Sequence, residues 1–386
     1  MMQTDDAKLG KGGSSPRSAQ EAASSDAGTE ASIRILAFTA DQIRTEKDPF
    51  TGLKDPNGYL PGFSDGWGKL LWSNPAVDGD DTALVLAVHG QKVVGRLGSY
   101  AGWLDLAEKP RSRVMWMDGF FLDPAYLASG AGALILLRTL KTRLPLIANG
   151  GPAEGTRKLY MSTGFIELGP FNRRLFPLKI APFLAWKLPS FPARLLGWLF
   201  QPFWLFGRWA WMNLPRGQAG NLVFDQVTRF NSDLDTHCPE RTENGFPRDS
   251  ATLNWSLSYR DALAYEIRDQ KRLRGYLMLR VVDHPGGGAH QLPAMKIGRI
   301  IDYSLCNATI AELTQMLRFS RQVLMEQKAD ILECQAHGQL DAACARLWML
   351  VKGGNRVFFR AGRGPKPSLD QPWFLSPGIG DVLLNG

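Results

Sequence analysis

The spacing of apolar and polar positions changes along the chain. Residues 114–122 are apolar and aromatic enough, around Asp118 and Gly119, to predict a buried strand, and 133–141 carry helical spacing without a breaker. Between them, Asp123-Pro124-Ala125-Tyr126-Leu127-Ala128-Ser129-Gly130-Ala131-Gly132 reads as a turn rich in small residues. A second apolar strand, 144–148, leads through Asn149-Gly150-Gly151 into a helix bearing Thr156-Arg157-Lys158-Leu159-Tyr160 and closing at Gly164-Phe165. Upstream, 33–38 predicts a first strand, Asp41 a helix cap and 67–72 an apolar helical turn. Segments 82–88 and 92–100 predict a hairpin turning at His89-Gly90-Gln91, where His89 serves the turn.

The same order returns later. Residues 275–282 and 297–305 read as strands around a Pro/Gly-rich loop at 285–293, followed by a helix at 309–328, a strand at 330–335 and a helix through Leu347-Trp348. The spacing from Asp118 to Tyr160 is close to that from Asp302 to Trp348, which predicts a divergent duplication. The second copy has Leu305-Cys306-Asn307-Ala308-Thr309-Ile310 where the first has its glycine turn, and Trp348 is expected where the first has Tyr160.

Four segments follow: a disordered tail at 1–30, a first domain at 31–176, an aromatic linker at 177–216 and a second domain at 217–386. In the linker Phe191, Trp198, Phe200, Phe203, Trp204, Phe206, Trp209 and Trp211 crowd together with Arg194 and Arg208 as the only charges among them. Pro202 interrupts the run, and its uncharged core at 195–207 is too short to span a bilayer as a helix. Three readings stand: a linker packed between domains, an in-plane membrane anchor, or a wall of a hydrophobic substrate channel.

The glycines of the turn carry the chemistry. Gly130 and Gly132 let the backbone approach a ligand, and the amides opening the next helix converge at the positive end of its dipole, which suits a pyrophosphate. Leu122-x-Pro124, a G-x-G turn, a strand and then Leu159-Tyr160-x-x-x-Gly164-Phe165 together resemble the GNAT (Gcn5-related N-acetyltransferase) superfamily. Asn254-Trp255 and Leu71-Trp72-x-Asn74-Pro75 extend the resemblance to bacterial double-GNAT proteins over nearly the whole chain. The fold class it implies is α/β, a mixed α+β sheet in two tandem GNAT-like domains, the second degenerate.

It also implies an acyl-CoA co-substrate, with no permanently bound cofactor. The donor set is Phe120, Leu122, Leu127, Ala128, Ser129, Gly130, Ala131, Gly132, Ala133 and Arg157, with backbone amides at 120–122 near the thioester carbonyl. Tyr160 matches the superfamily's general acid, and Asp118 lies near where some members carry a carboxylate base. Alternatively, Tyr160 is a core aromatic and Asp118 a strand-end carboxylate holding a loop. Leu127 and Ala128 depart from the family's usual Arg or Gln and Gly, so an acyl-carrier-protein thioester is an alternative donor.

The function implied is acyl-CoA-dependent N-acylation. The aromatic linker favours a lipid-like, amphiphilic amine acceptor such as the sphingoid base used by bacterial ceramide synthases. Short-chain acyl transfer to an amino sugar of a surface polysaccharide, and a non-catalytic acyl-CoA-binding or scaffold protein, are the alternatives.

With 45 Lys and Arg against 37 Asp and Glu, the net charge of +8 favours acidic partners. CoA phosphates and anionic lipid fit; no recognition helix or RNA-binding aromatic signature supports nucleic acid. The four cysteines show no C-x-x-C pair and read as reduced, and the histidines lack metal-ligand spacing. G-x-S-x-G is absent, and Asp78, Asp80 and Asp81 match no metal pattern. Residues 1–30 contain no signal-peptide core, so the expected location is cytoplasmic, peripheral at the inner membrane if the linker is an anchor.

Overall fold

The computed structural model describes residues 32–46, 48–60, 73–107, 109–150, 154–184, 190–213, 221–237, 244–259, 261–284, 294–362 and 373–374. The tail at 1–30, the helical turn expected at 67–72 and the loop at 285–293 lie outside the described residues.

The first half contains β1 (Ile33–Thr39), α1 (Ala40–Thr45), β2 (Thr82–His89), β3 (Lys92–Leu106) and β4 (Lys109–Leu122). A 3-10 turn (Pro124–Ser129) leads to α2 (Ala131–Thr139), β5 (Leu146–Gly150), α3 (Glu154–Ser162) and β6 (Ile166–Pro177). Two helices connect the halves, α4 (Ile180–Leu184) and α5 (Ser190–Asn213), the second carrying Pro202 inside it. The second half contains β7 (Leu222–Val227), α6 (Asp233–His237), β8 (Asn244–Gly245), α7 (Ser250–Tyr259), β9 (Leu263–Asp269), β10 (Arg272–His284) and β11 (Met295–Leu305). It ends with α8 (Ile310–Glu326), β12 (Ile331–Ala336), α9 (Gly338–Arg346), β13 (Leu350–Arg360) and β14 (Trp373–Phe374). The hairpin turning at His89-Gly90-Gln91 forms as its turn glycine predicts, with Gly90 at φ +61°.

The main sheet runs β1-β2-β3-β4-β5-β13-β6-β12-β11-β10-β9-β7. Read inward from its two edges, β1-β2-β3-β4-β5 is matched by β7-β9-β10-β11-β12. At the centre the last strands are exchanged: β13 pairs antiparallel with β5 and β6, and β6 also pairs with β12. Each half therefore completes its sheet with a strand from the other.

Two layers cover the sheet. On one face α2 and α3 bury Met115, Met117, Ile135, Tyr160, Phe165 and Phe358. On the other, Trp116, Phe171, Phe246, Val357 and Phe359 share a second core with Tyr100 and Leu104. In the second half α8 and α9 pack on β10, β11 and β12 through Leu277, Ile300, Met316, Leu317, Leu332 and Leu340.

Two sequence readings need correction. Cys306 is disulfide-bonded rather than reduced, because spacing alone cannot reveal which cysteines the fold brings together. Cys334 and Cys344 are buried free thiols with Sγ atoms 3.5 Å apart. The equivalence of Trp348 with Tyr160 also fails. At the end of α3, Gly164 at φ +86° and Phe165 donate to Met161 and Tyr160 carbonyls; at the end of α9, Trp348 at φ +55° and Met349 donate to Ala345 and Cys344. Matching these bonds puts Trp348 at the position of Gly164 and Cys344 at that of Tyr160.

Candidate active site

The site is built where two parallel strands part. β4 and β5 pair through Met115–Leu146, Trp116–Ile147 and Met117–Ala148. Beyond these, β4 continues along β3 while β5 turns its edge to β13. Backbone groups facing the opening are thereby released from the ladder between the strands, where a ligand can use them.

A bulge shapes the opening. Gly98 faces Asp118 and Arg96 faces Phe121, so β4 carries an extra residue there, with Gly119 in the left-handed region at φ +64°. That conformation favours glycine and reverses the side-chain alternation. Met115 and Met117 face α2 and α3, and so do Phe120 and Leu122. Alternation from Trp116 puts the buried Asp118 on the opposite face. The two candidate catalytic side chains are therefore not brought onto one face. Tyr160 is on the α2/α3 side, 2% exposed, its ring 5.0 Å from Phe165 and 5.1 Å from Phe358 of the exchanged strand.

The glycine turn follows the bulge. Asp123 accepts from the Ala125 amide at 3.0 Å, Lys92 Nζ at 2.9 Å and Asn57 Nδ2 at 3.1 Å. These bonds, that of Lys92 first, hold its carboxyl below the ordinary carboxylate value. Tyr126 Oη lies 2.8 Å from His89 Nδ1, tying the turn to the β2–β3 hairpin. Sequence reasoning missed Asn57 and Lys92 because nothing local links them to the turn, and it gave Tyr126, inside the turn, no role. Leu127, Ala128, Ser129 and Gly130 are exposed, Leu127 to 69%, whereas Ala131 and Gly132 are buried and Ala133 is half-buried.

Gly130 caps α2 at φ +77° and ψ −2° without a side-chain bond of its own. Ser129 Oγ accepts from the Ala131 amide at 3.2 Å. The next amides of the first turn, Gly132 and Ala133, have no intrahelical acceptor, as at any helix start. Such amides, with the helix dipole behind them, suit an anionic ligand.

The second half shows what closes such an end. Its strands β11 and β12 also part after three parallel pairs, Ile297–Ile331, Gly298–Leu332 and Arg299–Glu333, and β11 bulges at Ile301. This register matches Asp302 with Phe120, not with Asp118. At the start of α8, Glu312 accepts from the Thr309 amide at 2.8 Å and its hydroxyl at 2.9 Å, while Thr309 caps the Glu312 amide. Arg274 closes the cluster, 3.1 Å from Glu312 Oε1. Burial raises the Glu312 pKa, but these partners outweigh it and hold the group anionic. The helix thus carries its own anion, a capping box already legible as Thr309-x-x-Glu312.

Arg157 lies in a surface ion cluster. Its guanidinium contacts Glu167 at 2.8 Å and Glu154 at 3.3 Å, and Arg356 of β13 joins both carboxylates.

No family model matches the sequence, and no curated protein does; the likeness is structural. The fold matches Saccharomyces cerevisiae N-myristoyltransferase with bound myristoyl-CoA over 92% of this chain and 90% of that one, at a TM-score of 0.53 and 11% identity. A GCN5-related N-acetyltransferase from Anabaena variabilis is matched over 85% of this chain and 72% of that one (TM-score 0.47, 14% identity). A tandem GNAT protein from the clavulanic acid biosynthesis pathway is matched over 87% of this chain and 100% of that one (TM-score 0.47, 14% identity). The chain shares the fold of that N-myristoyltransferase, and its own sheet is built from two halves of matching strand order.

Proposed function

We propose that the chain is an acyl-CoA-dependent N-acyltransferase whose donor binds the first half, 31–176, and whose second half, 217–386, is a degenerate copy. The contrast between the two helix starts carries this reading. α2 begins at a glycine with exposed residues before it, whereas α8 is capped by its own Glu312 and backed by Arg274. The fold shared with an enzyme solved with myristoyl-CoA supports a thioester donor.

The residues then divide the work. Amides of 129–133 bind the pyrophosphate, Phe120 and Leu122 line the pantetheine path, and the parted strand at 120–122 offers amides to the carbonyl oxygen as it gains charge. The amine must arrive neutral, attack the carbonyl carbon and lose a proton, while the thiolate leaves and takes one up. Tyr160, on the same side of the sheet as Phe120 and Leu122, is assigned the proton for the thiolate, and the amine's proton passes to water; Asp118, on the opposite face, is left as a strand-end carboxylate. Holding both reactants in one cleft contributes on the order of 7–11 kcal/mol where alignment is good. Arg157 reaches a phosphate only by leaving Glu154 and Glu167, which makes it the weakest member of the donor set.

A lipid-like acceptor such as a sphingoid base is supported by the apolar surface of α5. The exposed Leu127 keeps a carrier-protein thioester in view, since such a donor brings no adenosine diphosphate to the turn. Thiol release by the full chain tests the reading, with acetyl-CoA and palmitoyl-CoA crossed against sphingoid bases, amino sugars and simple amines. Release requiring palmitoyl-CoA and a long-chain base is expected. Release only with acetyl-CoA and a sugar moves the acceptor to polysaccharide chemistry, and saturable CoA binding without release under any pairing leaves a binding protein.

A further inference from the structure

The connection between the halves exposes what most helices bury. On α5, Leu195, Trp198, Leu199, Phe203 and Phe206 lie at helical spacing along one side, and Trp198, Phe203 and Phe206 are 74%, 74% and 67% exposed. Trp204 points back to the protein, its ring 6.1 Å from Phe176. A groove of about 480 Å³ runs beside the helix, lined by Phe176, Leu184, Phe203, Trp204, Leu347 and Trp348. Leu350 and Val351 of β13 continue the exposed apolar surface. Soluble monomers rarely leave so much contiguous apolar area to water.

The charge along this stretch of the sequence has one sign. Between Glu167 and Asp225 the sequence contains no Asp or Glu. Lys187, Arg194, Arg208 and Arg216 lie within or beside the helical connection. Exposed aromatics in a stretch that carries cations and no anions match the headgroup region of an anionic bilayer, where indole rings settle at the interface and basic side chains meet lipid phosphates. No helix among the described residues is long and apolar enough to cross a membrane, so the contact is in the plane of the surface.

Topology gives the surface a direction. β13 starts at Leu350 and reaches Gly150, the last residue of β5, only at Arg356. Its opening residues therefore extend past the end of the sheet toward which β4 and β5 part, and β6 finishes there, with Leu175 paired to Leu350. We propose that α5, Trp348, Leu350 and Val351 form a docking surface for an anionic phospholipid bilayer, placed at the end of the sheet where the β4–β5 cleft opens. The surface is independent of the acyl-transfer reading, since it needs no donor to bind.

Vesicle flotation of the full chain tests it, with phosphatidylcholine alone and phosphatidylcholine mixed with phosphatidylglycerol. The chain is expected to float with the mixed vesicles, to stay behind with phosphatidylcholine alone, and to bind less as salt is added. The combined substitution Trp198→Ser, Phe203→Ser and Phe206→Ser should weaken partitioning by about tenfold or more, with an unchanged thermal melt because all three side chains are exposed. Quenching of tryptophan fluorescence by brominated lipid in the unsubstituted chain reads the same insertion without any variant. Absence of flotation and quenching with both vesicles overturns the proposal. So does a dimer that the triple substitution dissolves and vesicles do not, which would assign the surface to a second copy of the chain.

Discussion

Trp348 is 77% exposed yet sits in the left-handed region at φ +55°, which costs an L-residue about 1–2 kcal/mol. Glycine there relieves the strain but returns about 0.5–1 kcal/mol through the freedom of the unfolded chain. Trp348→Gly should therefore stabilise by about 0.5–1 kcal/mol, read as a higher denaturant midpoint with an unchanged slope; a lower midpoint would mean that the indole's contacts with the groove outweigh the strain. His337 behaves differently. Burial and then Arg248 push its pKa from 6.5 down to about 4, against Asp341, and its ring lies edge-on to Phe171 at 5.7 Å. The folded state thus prefers neutral imidazole. Between these values the unfolded chain holds more protons, so stability is full above 6.5 and falls as the pH drops toward 4, by on the order of 2–3 kcal/mol. Urea midpoints measured across that window should fall less steeply in His337→Asn; equal slopes would remove this assignment.

At the scale of elements, the turn from β4 into α2 is where local sequence and structure agree most closely. Gly130 adopts φ +77° with open space around its missing Cβ, so Gly130→Val meets no clash and its cost is conformational. The expected loss is about 1–2 kcal/mol of stability, with a KM for acyl-CoA raised about tenfold as the branched side chain crowds the amides of a site worth a few kilocalories in binding. A KM equal to that of the parent chain would move the donor elsewhere. This turn was legible in the sequence because glycines, Pro124 and the flanking apolar runs act over a few residues. The bulge was not: nothing marks Gly119 as the glycine that reverses alternation, and without that reversal Phe120 and Leu122 would share the face of Asp118 rather than that of Tyr160. Strands β7 and β9 were also missed, since β7 lies in a stretch that reads as polar and half of its residues face solvent. The capping box of α8 was in plain view at Thr309 and Glu312, and it explains the silent second turn better than the missing glycines do.

For the whole molecule, the strand exchange at the centre of the sheet decides how the halves depend on each other. β13 separates β5 from β6, so a first half cut away from the second loses the strand that covers both, and Phe358 no longer packs on Tyr160. Charges reinforce the seam. Arg174 grips Asp341 with two bonds of 2.7 Å, Lys179 reaches Asp330 at 2.6 Å, and Arg173 and Arg299 share Glu333. Burial raises the Glu333 pKa, but the two arginines outweigh that effect and hold the carboxylate ionised. Glu333→Gln would leave two largely buried guanidiniums without their anion, at a cost of about 3 kcal/mol. Such a loss is local to the seam, whereas dividing the chain removes a central strand from each part. Residues 1–216 and 217–386 produced separately should therefore show no cooperative unfolding, and producing them together should restore a single transition and any acyl-CoA binding. Two independently cooperative fragments would mean that each half can recruit its own last strand, making the exchange a late docking step rather than a condition of folding.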